Sequence, residues 1–252
     1  MKQLIQQSVG HFLRVTRLQY LPVRVRRGLP AGARWTLYPW TSYWRGGYEP
    51  DVEKAIIGLG DLTGKVCWDL GAHYGYYSVG LALRTGPTGQ VAAFEPFPAS
   101  CARLERHRQM NGLDWLRAFP FAVSDAGGES RLITSGGETV NHLAYDGEVP
   151  TAATPTINIR TARLDDLVAK GEIRTPDFIK IDVEGHGHRA LAGAIQTLRA
   201  RRPVILMGFH SGMEVAGSEA LLGPLGYKFT PVGRNNPLDR VGADYLIQPG
   251  NQ

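Results

Sequence analysis

A short run of the chain carries three ionisable side chains at alternate positions. Within Asp177–Gly185, Lys180, Asp182 and Glu184 are interleaved with apolar residues. If the segment is a strand, these side chains share one face, because successive residues of a strand point to opposite faces. Burial of Lys180 and Asp182 is costly unless the two charges pair. The run is therefore either an ion pair that fixes a sheet or a site where carboxylates meet a ligand, and we favour the site.

Three histidines are further candidates for chemistry. His210 follows the apolar segment 203–209, and its titration range near neutral pH makes it a candidate base. His186 and His188 follow the acidic run, and together with His210 they raise the question of a divalent metal. We expect no metal, because two histidines two positions apart on a helix point in different directions.

A glycine-containing turn supplies a second candidate site. Asp69 lies at the end of the apolar run 65–70, one residue before Leu70, and Gly71 and Gly75 follow before a helical pattern begins. Gly71 permits a sharp turn and the close approach of a ligand, and a helix N-terminus presents free N–H groups. Glu95 ends the next apolar segment, and an acidic residue at the end of the second strand of an open α/β sheet receives ribose hydroxyls.

The spacing in this turn discriminates between two nucleotide cofactors. A dinucleotide fingerprint places three glycines around a pyrophosphate, whereas this turn has Gly71 and Gly75, preceded by Asp69. A carboxylate at that position repels a pyrophosphate and suits the ammonium of a methionine moiety. The residues therefore favour S-adenosylmethionine over NAD.

Alternating strand and helix patterns must hold these residues together. The patterns predict strands at 65–70, 90–95, 117–123, 177–183, 203–209, 226–230 and 243–248, and helices at 75–84, 98–110, 163–170, 187–200 and 214–223. The pattern in residues 127–161 predicts an antiparallel excursion, that is, short antiparallel strands outside the main alternation of strands and helices. The alternation indicates an α/β fold, with a parallel sheet covered by helices on both faces. The candidate residues then meet at the carboxyl ends of the strands, where open α/β sheets bind ligands.

The composition is that of one decorated α/β domain. The chain has 252 residues, 43% of them hydrophobic, which is enough for a sizeable core. No stretch approaches the ~20 apolar residues of a membrane span, and the first residues lack the apolar centre of a signal peptide. Cys67 and Cys101 have no metal-site spacing, and this favours a reducing compartment. We expect a cytoplasmic protein.

Positive charge is concentrated at the start of the chain. Eight basic residues precede the first acidic one, Glu49, in a chain of net charge +5, so the remainder carries a net −3. Residues 2–18 have an amphipathic helical pattern. The aromatic segment Trp35–Tyr48 either covers a pocket as a lid or seals the domain. We expect residues 1–50 to be a basic, aromatic-rich extension or cap, and residues 51–252 to be the main domain.

This basic arm has two interpretations. Residues 1–34 are a candidate contact for an anionic acceptor or for a membrane surface, or they form a solvated face. We expect no nucleic-acid partner, and the pattern makes no prediction of oligomeric state.

The order of the segments resembles the FkbM-type methyltransferase family. The resemblance covers residues 44–210, and its most specific part is the Lys-Ile-Asp-Val-Glu-Gly block, 180–185. The matching segments are 44–50, 69–77, 93–98, 122–125, 164–166, 177–185, 191–194 and 203–210. The resemblance implies a Rossmann-like class I methyltransferase fold with a mostly parallel seven-stranded sheet. It also implies S-adenosylmethionine-dependent O-methylation of a hydroxyl on a sugar, a glycan or glycolipid, or a secondary metabolite.

The resemblance also implies roles for individual residues. The cofactor-binding residues that it implies are Asp69, Gly71, Ala72, His73, Gly75, Glu95, Ser124 and Asp125. Among them, Glu95 takes the ribose and Asp125 the adenine edge, while Asp69 and the glycines line the methionine part. The chain departs from the family's usual pattern where His73 replaces Asn, and where Gly187 and Gly208 stand in place of a frequent Glu.

Methyl transfer to a hydroxyl needs a proton acceptor, because a protonated sugar hydroxyl is a poor nucleophile. Asp182 is our first choice as base or substrate-orienting carboxylate, and Glu184 is the second. His210 is a third candidate, and Lys180 is the charge partner of Asp182.

Three other functions remain open from the sequence. An NAD(P)-dependent oxidoreductase on the same fold is disfavoured by Asp69 and by the missing third glycine. A degenerate cofactor-binding module without turnover is left open by Gly187 and Gly208. A nucleic-acid methyltransferase is disfavoured because the chain has no Asn-Pro-Pro-Tyr-like motif.

Overall fold

The structure is a computed structural model that describes residues 20–37, 41–134, 142–143, 151, 154–233 and 239–250. The amphipathic pattern of residues 2–18 lies outside the described residues. None of the helices that are described is long and apolar enough to span a membrane.

A central sheet of seven strands organises the domain. Its strands are β3 (Val66–Leu70), β4 (Gln90–Phe94), β5 (Leu116–Phe119), β10 (Phe178–Ile181), β11 (Val204–Phe209), β12 (Tyr227–Pro231) and β13 (Ala243–Pro249). Their order is β12-β13-β11-β10-β3-β4-β5. Neighbouring strands are parallel except where β13 lies antiparallel to both β11 and β12. The predicted, mostly parallel seven-stranded α/β sheet is thus confirmed.

Helices connect these strands. They are α1 (Pro50–Gly58), α2 (Tyr76–Thr85), α3 (Pro98–Met110), α4 (Leu164–Ala169), α5 (Gly187–Ala192), α6 (Ile195–Arg201) and α7 (Gly212–Leu222). Alternate residues of β3 enter two different apolar clusters, with Trp68 and Leu70 in one and Cys67 in the other. The sheet therefore has a core on each face, which explains why its strands read as nearly continuous apolar runs.

A second sheet projects from the first. It contains β6 (Ala122–Val123), β7 (Gly128–Ile133), β8 (His142–Leu143) and β9 (Thr156–Ala162), in the order β6-β9-β7-β8. The pairs β7–β8 and β7–β9 are antiparallel, so the predicted antiparallel excursion is confirmed.

Three predicted elements differ from the observed ones. The strand predicted at 117–123 is two strands in different sheets, β5 and β6, because Pro120 interrupts it and cannot donate a ladder hydrogen bond. The helix predicted at 187–200 divides into α5 and α6 around Gly193, where a Cβ would lie 2.0 Å from the Ser124 carbonyl oxygen. The strand predicted at 177–183 ends at Ile181.

The described part of the N-terminal region packs into the domain core. Strands β1 (Pro22–Arg24) and β2 (Arg34–Thr36) form an antiparallel pair. Val25, Ala33 and Trp35 are buried in one apolar cluster with Tyr74. The Trp35 ring stacks on His107 at 3.6 Å between ring centroids, so this tryptophan seals the domain. The domain boundary at residue 50 stays a prediction.

Candidate active site

A cleft opens at the carboxyl edge of the central sheet, beside the point where the strand order reverses between β3 and β10. Three loops line it: the turn after β3, the segment after β4 and the turn after β10. The lining residues from these loops are Gly71, Ala72, His73, Glu95, Pro96, Asp182, Val183, Glu184 and His186. The sequence predicted both candidate sites at this edge, and the structure brings them to one cleft.

The turn after β3 is tightly packed. Gly71 has a φ of 83°, and a Cβ there would lie 1.9 Å from the carbonyl oxygen of Asp182. Gly75 does not line the cleft; its φ is 86°, and a Cβ there would lie 2.3 Å from Leu104 Cδ1. Gly71 thus requires glycine because of a neighbouring backbone atom, and Gly75 is favoured as glycine by its positive φ and the packing of Leu104. The contact of these glycines with a cofactor stays a prediction.

Two other residues near the cleft have left-handed backbone conformations. His73 has a φ of 49° and Glu184 a φ of 48°, a region that side chains other than glycine and asparagine rarely adopt. The resembled family usually has asparagine at position 73, a residue that adopts this conformation more readily than most. His73 replaces it here and keeps the left-handed backbone.

Asp69 is fully buried below the turn. Its Oδ2 accepts a hydrogen bond from the Ser78 hydroxyl, and its Oδ1 has no hydrogen-bond partner among the described residues. Burial raises the pKa of Asp69, although the charge of Lys180 opposes the shift. The predicted role of Asp69 toward a methionine ammonium remains untested.

Glu95 presents its carboxylate to the cleft at the end of β4. Oε2 accepts from the His73 N–H at 2.7 Å, and Oε1 accepts from the Phe97 N–H at 2.8 Å. Burial raises the pKa of Glu95 to about 7, against the effect of these two N–H groups. Each oxygen of the fixed carboxylate retains acceptor capacity for a ligand.

Ser124 and Asp125 lie beside the cleft lining rather than in it. The Asp125 carboxylate is 3.2 Å from Arg189 Nη1, and the Ser124 hydroxyl is 3.0 Å from His186 Nε2. The structure thus gives Asp125 a protein partner, and its predicted contact with an adenine edge stays a prediction.

A chain of charged side chains crosses the ends of β10 and β11. Lys180 Nζ lies 3.2 Å from Asp182 Oδ2, and Asp182 Oδ1 lies 3.0 Å from His210 Nε2. His210 Nδ1 lies 3.3 Å from Glu184 Oε2. Lys180 is almost fully buried, and it makes the ion pair that its burial requires. The structure therefore brings together all four residues that the sequence proposed for catalysis.

The charges of Lys180, Asp182 and His210 stabilise one another. Burial opposes ionisation of Asp182, but the Lys180 charge and the His210 hydrogen bond outweigh it and hold the pKa of Asp182 well below its usual range. Burial also opposes protonation of His210, yet the carboxylates around it raise its pKa to about 9. At neutral pH, His210 is thus a cation that can donate from both nitrogens, and Asp182 is a weak base.

The trio Asp182, Glu184 and His210 is also compact enough for a cation, with one ligand atom from each residue lying within 4.8 Å of the others. Lys180 and the protonated His210 already supply positive charge there, so we assign the trio hydrogen-bonding roles. His186 and His188 are not part of this group of described residues, and His186 bonds to Ser124. The expectation of no metal stays a prediction.

A wall of aromatic residues closes one side of the cleft. Four tyrosines line it: Tyr43, Tyr48, Tyr76 and Tyr77. Tyr43 and Tyr48 pack edge to face at 4.6 Å between ring centroids. The Tyr77 hydroxyl donates to Glu49, and Lys180 Nζ lies 4.5 Å from the Tyr77 ring centroid. The aromatic segment thus both seals the domain, through Trp35, and borders the cleft, through Tyr43 and Tyr48.

Local sequence patterns did not identify Tyr76 and Tyr77 as cleft residues, or Glu49 as the partner of Tyr77. A signal was present, because the two tyrosines directly follow Gly75 at the start of α2, on the ligand-binding edge of the sheet. Glu49 reaches the site through Tyr77, and no local pattern encodes that contact.

Two carboxylates that the sequence analysis also missed lie beside Gly187 and Gly208. Glu214, from α7, is fully buried and accepts the Gly187 N–H at 2.7 Å and the His210 N–H at 2.8 Å. Asp244, from β13, places Oδ1 3.1 Å from the position that a Cβ on Gly208 would take. Each glycine therefore leaves room for an acidic side chain from another element.

Comparison with known proteins agrees with this geometry. Residues 69–229, more than half of the chain, match the family described as Methyltransferase FkbM domain. The chain is 28% identical over 171 residues to the 2-O-methyltransferase NoeI of Sinorhizobium fredii, covering 60% of this chain and 66% of that protein. It is also 28% identical over 168 residues to the hexuronic acid methyltransferase AglP of Haloferax volcanii, covering 66% of this chain and 64% of that protein. The chain thus spans just under two thirds of each of these relatives.

Solved structures share the fold. The methyltransferase FkbM of Methylobacillus flagellatus superposes with a TM-score of 0.53 at 19% identity, covering 75% of this chain and 45% of that one. The putative methyltransferase yhhF of Escherichia coli gives a TM-score of 0.51 at 11% identity, covering 92% of this chain and 100% of that one.

Proposed function

The chain belongs to the FkbM methyltransferase family, and from this premise we propose that it transfers a methyl group from S-adenosylmethionine to a hydroxyl of a sugar or sugar-containing acceptor. Membership of this family overturns the oxidoreductase alternative. The observation that carries the proposal is the cleft itself, where Glu95 and the Asp182–His210 pair lie at the same edge of the sheet.

The residues of the cleft fit the cofactor. The buried Glu95 carboxylate is held by two N–H groups and has acceptor capacity left for two ribose hydroxyls. Below the cleft, the buried Asp69 carboxyl has an Oδ1 without a partner among the described residues, and this oxygen is a candidate acceptor for the methionine ammonium. When bound, S-adenosylmethionine supplies a methyl group on a positively charged sulfur.

The remaining side chains suit a hydroxyl acceptor. Asp182 lines the cleft and is held in place by His210, and fixed geometry of this kind lowers the barrier of a displacement. The exposed ring of Tyr48, which packs on Tyr43, offers an apolar surface to a sugar ring. Together they position an oxygen for in-line attack and exclude water from its surroundings.

A basic residue in the aromatic segment supports an anionic acceptor. Arg45 is exposed and lies in the sequence between Tyr43 and Tyr48, which both line the cleft, and its guanidinium carbon lies 4.8 Å from the Trp44 ring centroid. A guanidinium pairs with a carboxylate in two places. The name of the Haloferax relative specifies a hexuronic acid, which is an anionic sugar, and this supports the same acceptor class.

An activity screen tests the proposal. The purified chain is incubated with methyl-labelled S-adenosylmethionine and a panel of neutral sugars, uronic acids and lipid-linked glycans, and the label is followed into product. We expect transfer to a hydroxyl of at least one sugar, with uronic acids preferred. Cofactor binding by calorimetry without transfer to any acceptor would instead identify a binding module without turnover.

A further inference from the structure

Three neighbouring strands place two acidic residues and a glycine in one row across the sheet. Ile181 of β10 pairs with Met207 of β11, so Asp182, one residue further along, lies beside Gly208. Gly208 in turn pairs with Asp244 of β13. Paired residues of adjacent strands direct their side chains to the same face. Asp182 and Asp244 therefore flank a position that has no side chain.

The missing side chain leaves a gap with polar walls. A Cβ on Gly208 would lie 3.1 Å from Asp244 Oδ1, 3.6 Å from His210 Nε2 and 3.9 Å from Asp182 Oδ1. Because both distances start from one point, the two carboxylate oxygens are at most about 7 Å apart. Gly208 is partly exposed, although Met207 and Phe209 beside it are buried. The gap is therefore open to a ligand from solvent.

The two carboxylates differ in what they already bind. Both oxygens of Asp182 are engaged, one by Lys180 and the other by His210. The Asp244 carboxylate makes no hydrogen bond and no ion pair with any residue that the structure describes, although it is only partly exposed. Burial and the Asp182 charge raise the pKa of Asp244 above its usual value. Asp244 is thus the carboxylate at the gap with unused acceptor capacity.

We propose that Asp244 is a catalytic residue of the methyl transfer, which accepts first the hydrogen bond and then the proton of the acceptor hydroxyl in the gap above Gly208. This assignment rests on the function proposed above. As the acceptor oxygen forms its bond to the methyl carbon, the sulfur–carbon bond breaks and the sulfur keeps its electron pair. The hydroxyl proton passes to Asp244, which later releases it to water.

The assignment leaves distinct roles for the neighbouring residues. Asp182 and His210 are positioning residues that form the wall of the gap opposite Asp244. His210 is already protonated at neutral pH, because its carboxylate partners stabilise the imidazolium, so it cannot accept the proton of the hydroxyl. Lys180 keeps Asp182 ionised and weakly basic. The proton acceptor, Asp244, therefore comes from the antiparallel strand β13. The parallel strands β10 and β11 lead into the positioning residues Asp182 and His210.

Substitution of Asp244 tests the proposal directly. Asp244→Asn should lower kcat by about 10²–10⁴-fold, the range for loss of a general base, while calorimetry shows an unchanged Kd for S-adenosylmethionine. Asp244→Glu should recover part of the rate. The matched control is Asp61→Asn, an exposed carboxylate that precedes the amino end of β3. Asp61→Asn should leave kcat unchanged.

Stability and steric filling separate this role from a structural one. Because the carboxylate has no partner among the described residues, Asp244→Asn should leave the melting temperature unchanged or raise it. Gly208→Ala should fill the gap and raise KM for the acceptor severalfold without altering cofactor affinity. If the wild type methylates a sugar and Asp244→Asn does so with a kcat within threefold of it, the assignment of Asp244 is wrong and the proposed function stands. A wild type that binds the cofactor but methylates no acceptor overturns both.

Discussion

Nε2 of His210 and Oδ1 of Asp182 lie 3.0 Å apart at the carboxyl edge of the sheet, where two neighbouring strands end. The contact links two residues that are 28 positions apart in the chain. Lys180 donates a hydrogen bond to the other oxygen of the same carboxylate. Asp182 therefore lies between two cations, and it raises the pKa of both Lys180 and His210.

The titration of His210 should report this contact. We expect its pKa near 9 in the folded wild type, against an ordinary value of 6.5, and a fall toward the ordinary value in Asp182→Asn. Proton chemical shifts of the imidazole ring, followed against pH, measure both values. A His210 signal that titrates near 6.5 in the wild type would contradict the arrangement.

The same shift makes stability depend on pH. A raised pKa in the folded state means that the contribution of protonated His210 is complete below pH 6.5 and is lost as the pH rises to about 9. The wild type should therefore lose about 2–3 kcal/mol of unfolding free energy across this window relative to His210→Gln. Urea unfolding at both ends of the window tests the sign.

Cofactor affinity should rise with pH through the titration of Glu95. Ribose hydroxyls donate to the ionised carboxylate, and its pKa in the free protein is raised to about 7, so binding should weaken roughly tenfold for each pH unit well below 7. Glu95→Gln should bind more weakly at pH 8 and lose the pH dependence, whereas the exposed Glu172→Gln should behave as wild type. Calorimetry with S-adenosylmethionine between pH 5.5 and 8.5 provides the comparison. An unchanged slope in Glu95→Gln would place the titrating group elsewhere.

Asp182→Asn should reduce methyl transfer far more than cofactor affinity. The change keeps the shape of the side chain but leaves buried Lys180 with a weaker partner, so we also expect a loss of about 1–3 kcal/mol of unfolding free energy. Kinetics with the true acceptor and denaturant unfolding separate the two effects. A mutant with wild-type kcat would show that Asp182 is only structural.

Dialysis of the wild type against a chelator should leave its activity unchanged, and loss of activity would mean that the Asp182, Glu184 and His210 trio holds a metal.

Gly71→Ala should disrupt the fold around the cleft. Its Cβ would overlap the carbonyl oxygen of Asp182 at a positive φ, and we expect a loss of roughly 2–4 kcal/mol of unfolding free energy. Gly64→Ala is the matched control, because Gly64 also has a positive φ, of 75°, but its nearest neighbour is 3.6 Å away. The control should lose only about 1 kcal/mol, the cost of the backbone conformation alone. Equal losses would rule out the steric explanation.

Truncation can separate the basic arm from the core. A chain without residues 1–34 loses the buried Val25, Leu29 and Ala33, so we expect it to be unstable. A chain without residues 1–19 should instead keep its fold and cofactor affinity. If the arm holds anionic or membrane-presented acceptors, this shorter truncation should lower activity on them and reduce its salt dependence. Unchanged activity and salt dependence would assign residues 1–19 another role.

Local patterns predicted the elements that are both regular and buried. The runs that became β3 and β4 are continuous and apolar, and α3 begins with Pro98 at its first position, so propensity and burial agree there. The predicted helix 187–200 is interrupted at Gly193, and the contacts there come from distant parts of the chain: Gly193 packs against the Ser124 carbonyl, and Asp165 accepts the Gln196 and Thr197 N–H groups that begin α6.

Long-range contacts also limited prediction of the site. Lys180, Asp182 and Glu184 were found because their alternation is visible within one strand. Asp244 was not, since its place beside Gly208 depends on β13 inserting between β11 and β12. No spacing within the last strand encodes that insertion.

The contact between Gly71 and the Asp182 carbonyl has a consequence for the divergence of such enzymes. The backbone of the turn after β3 approaches the strand end that carries Asp182 so closely that no Cβ fits between them, so a shift of either one displaces the other. A lineage that acquires a new substrate therefore has little freedom at these two positions. We expect its changes to accumulate instead in the Tyr43–Tyr48 segment and in the small sheet, whose Leu132 and Leu143 also line the cleft. Variation between relatives should thus be lowest at the Gly71–Asp182 contact and highest at these outer walls of the cleft.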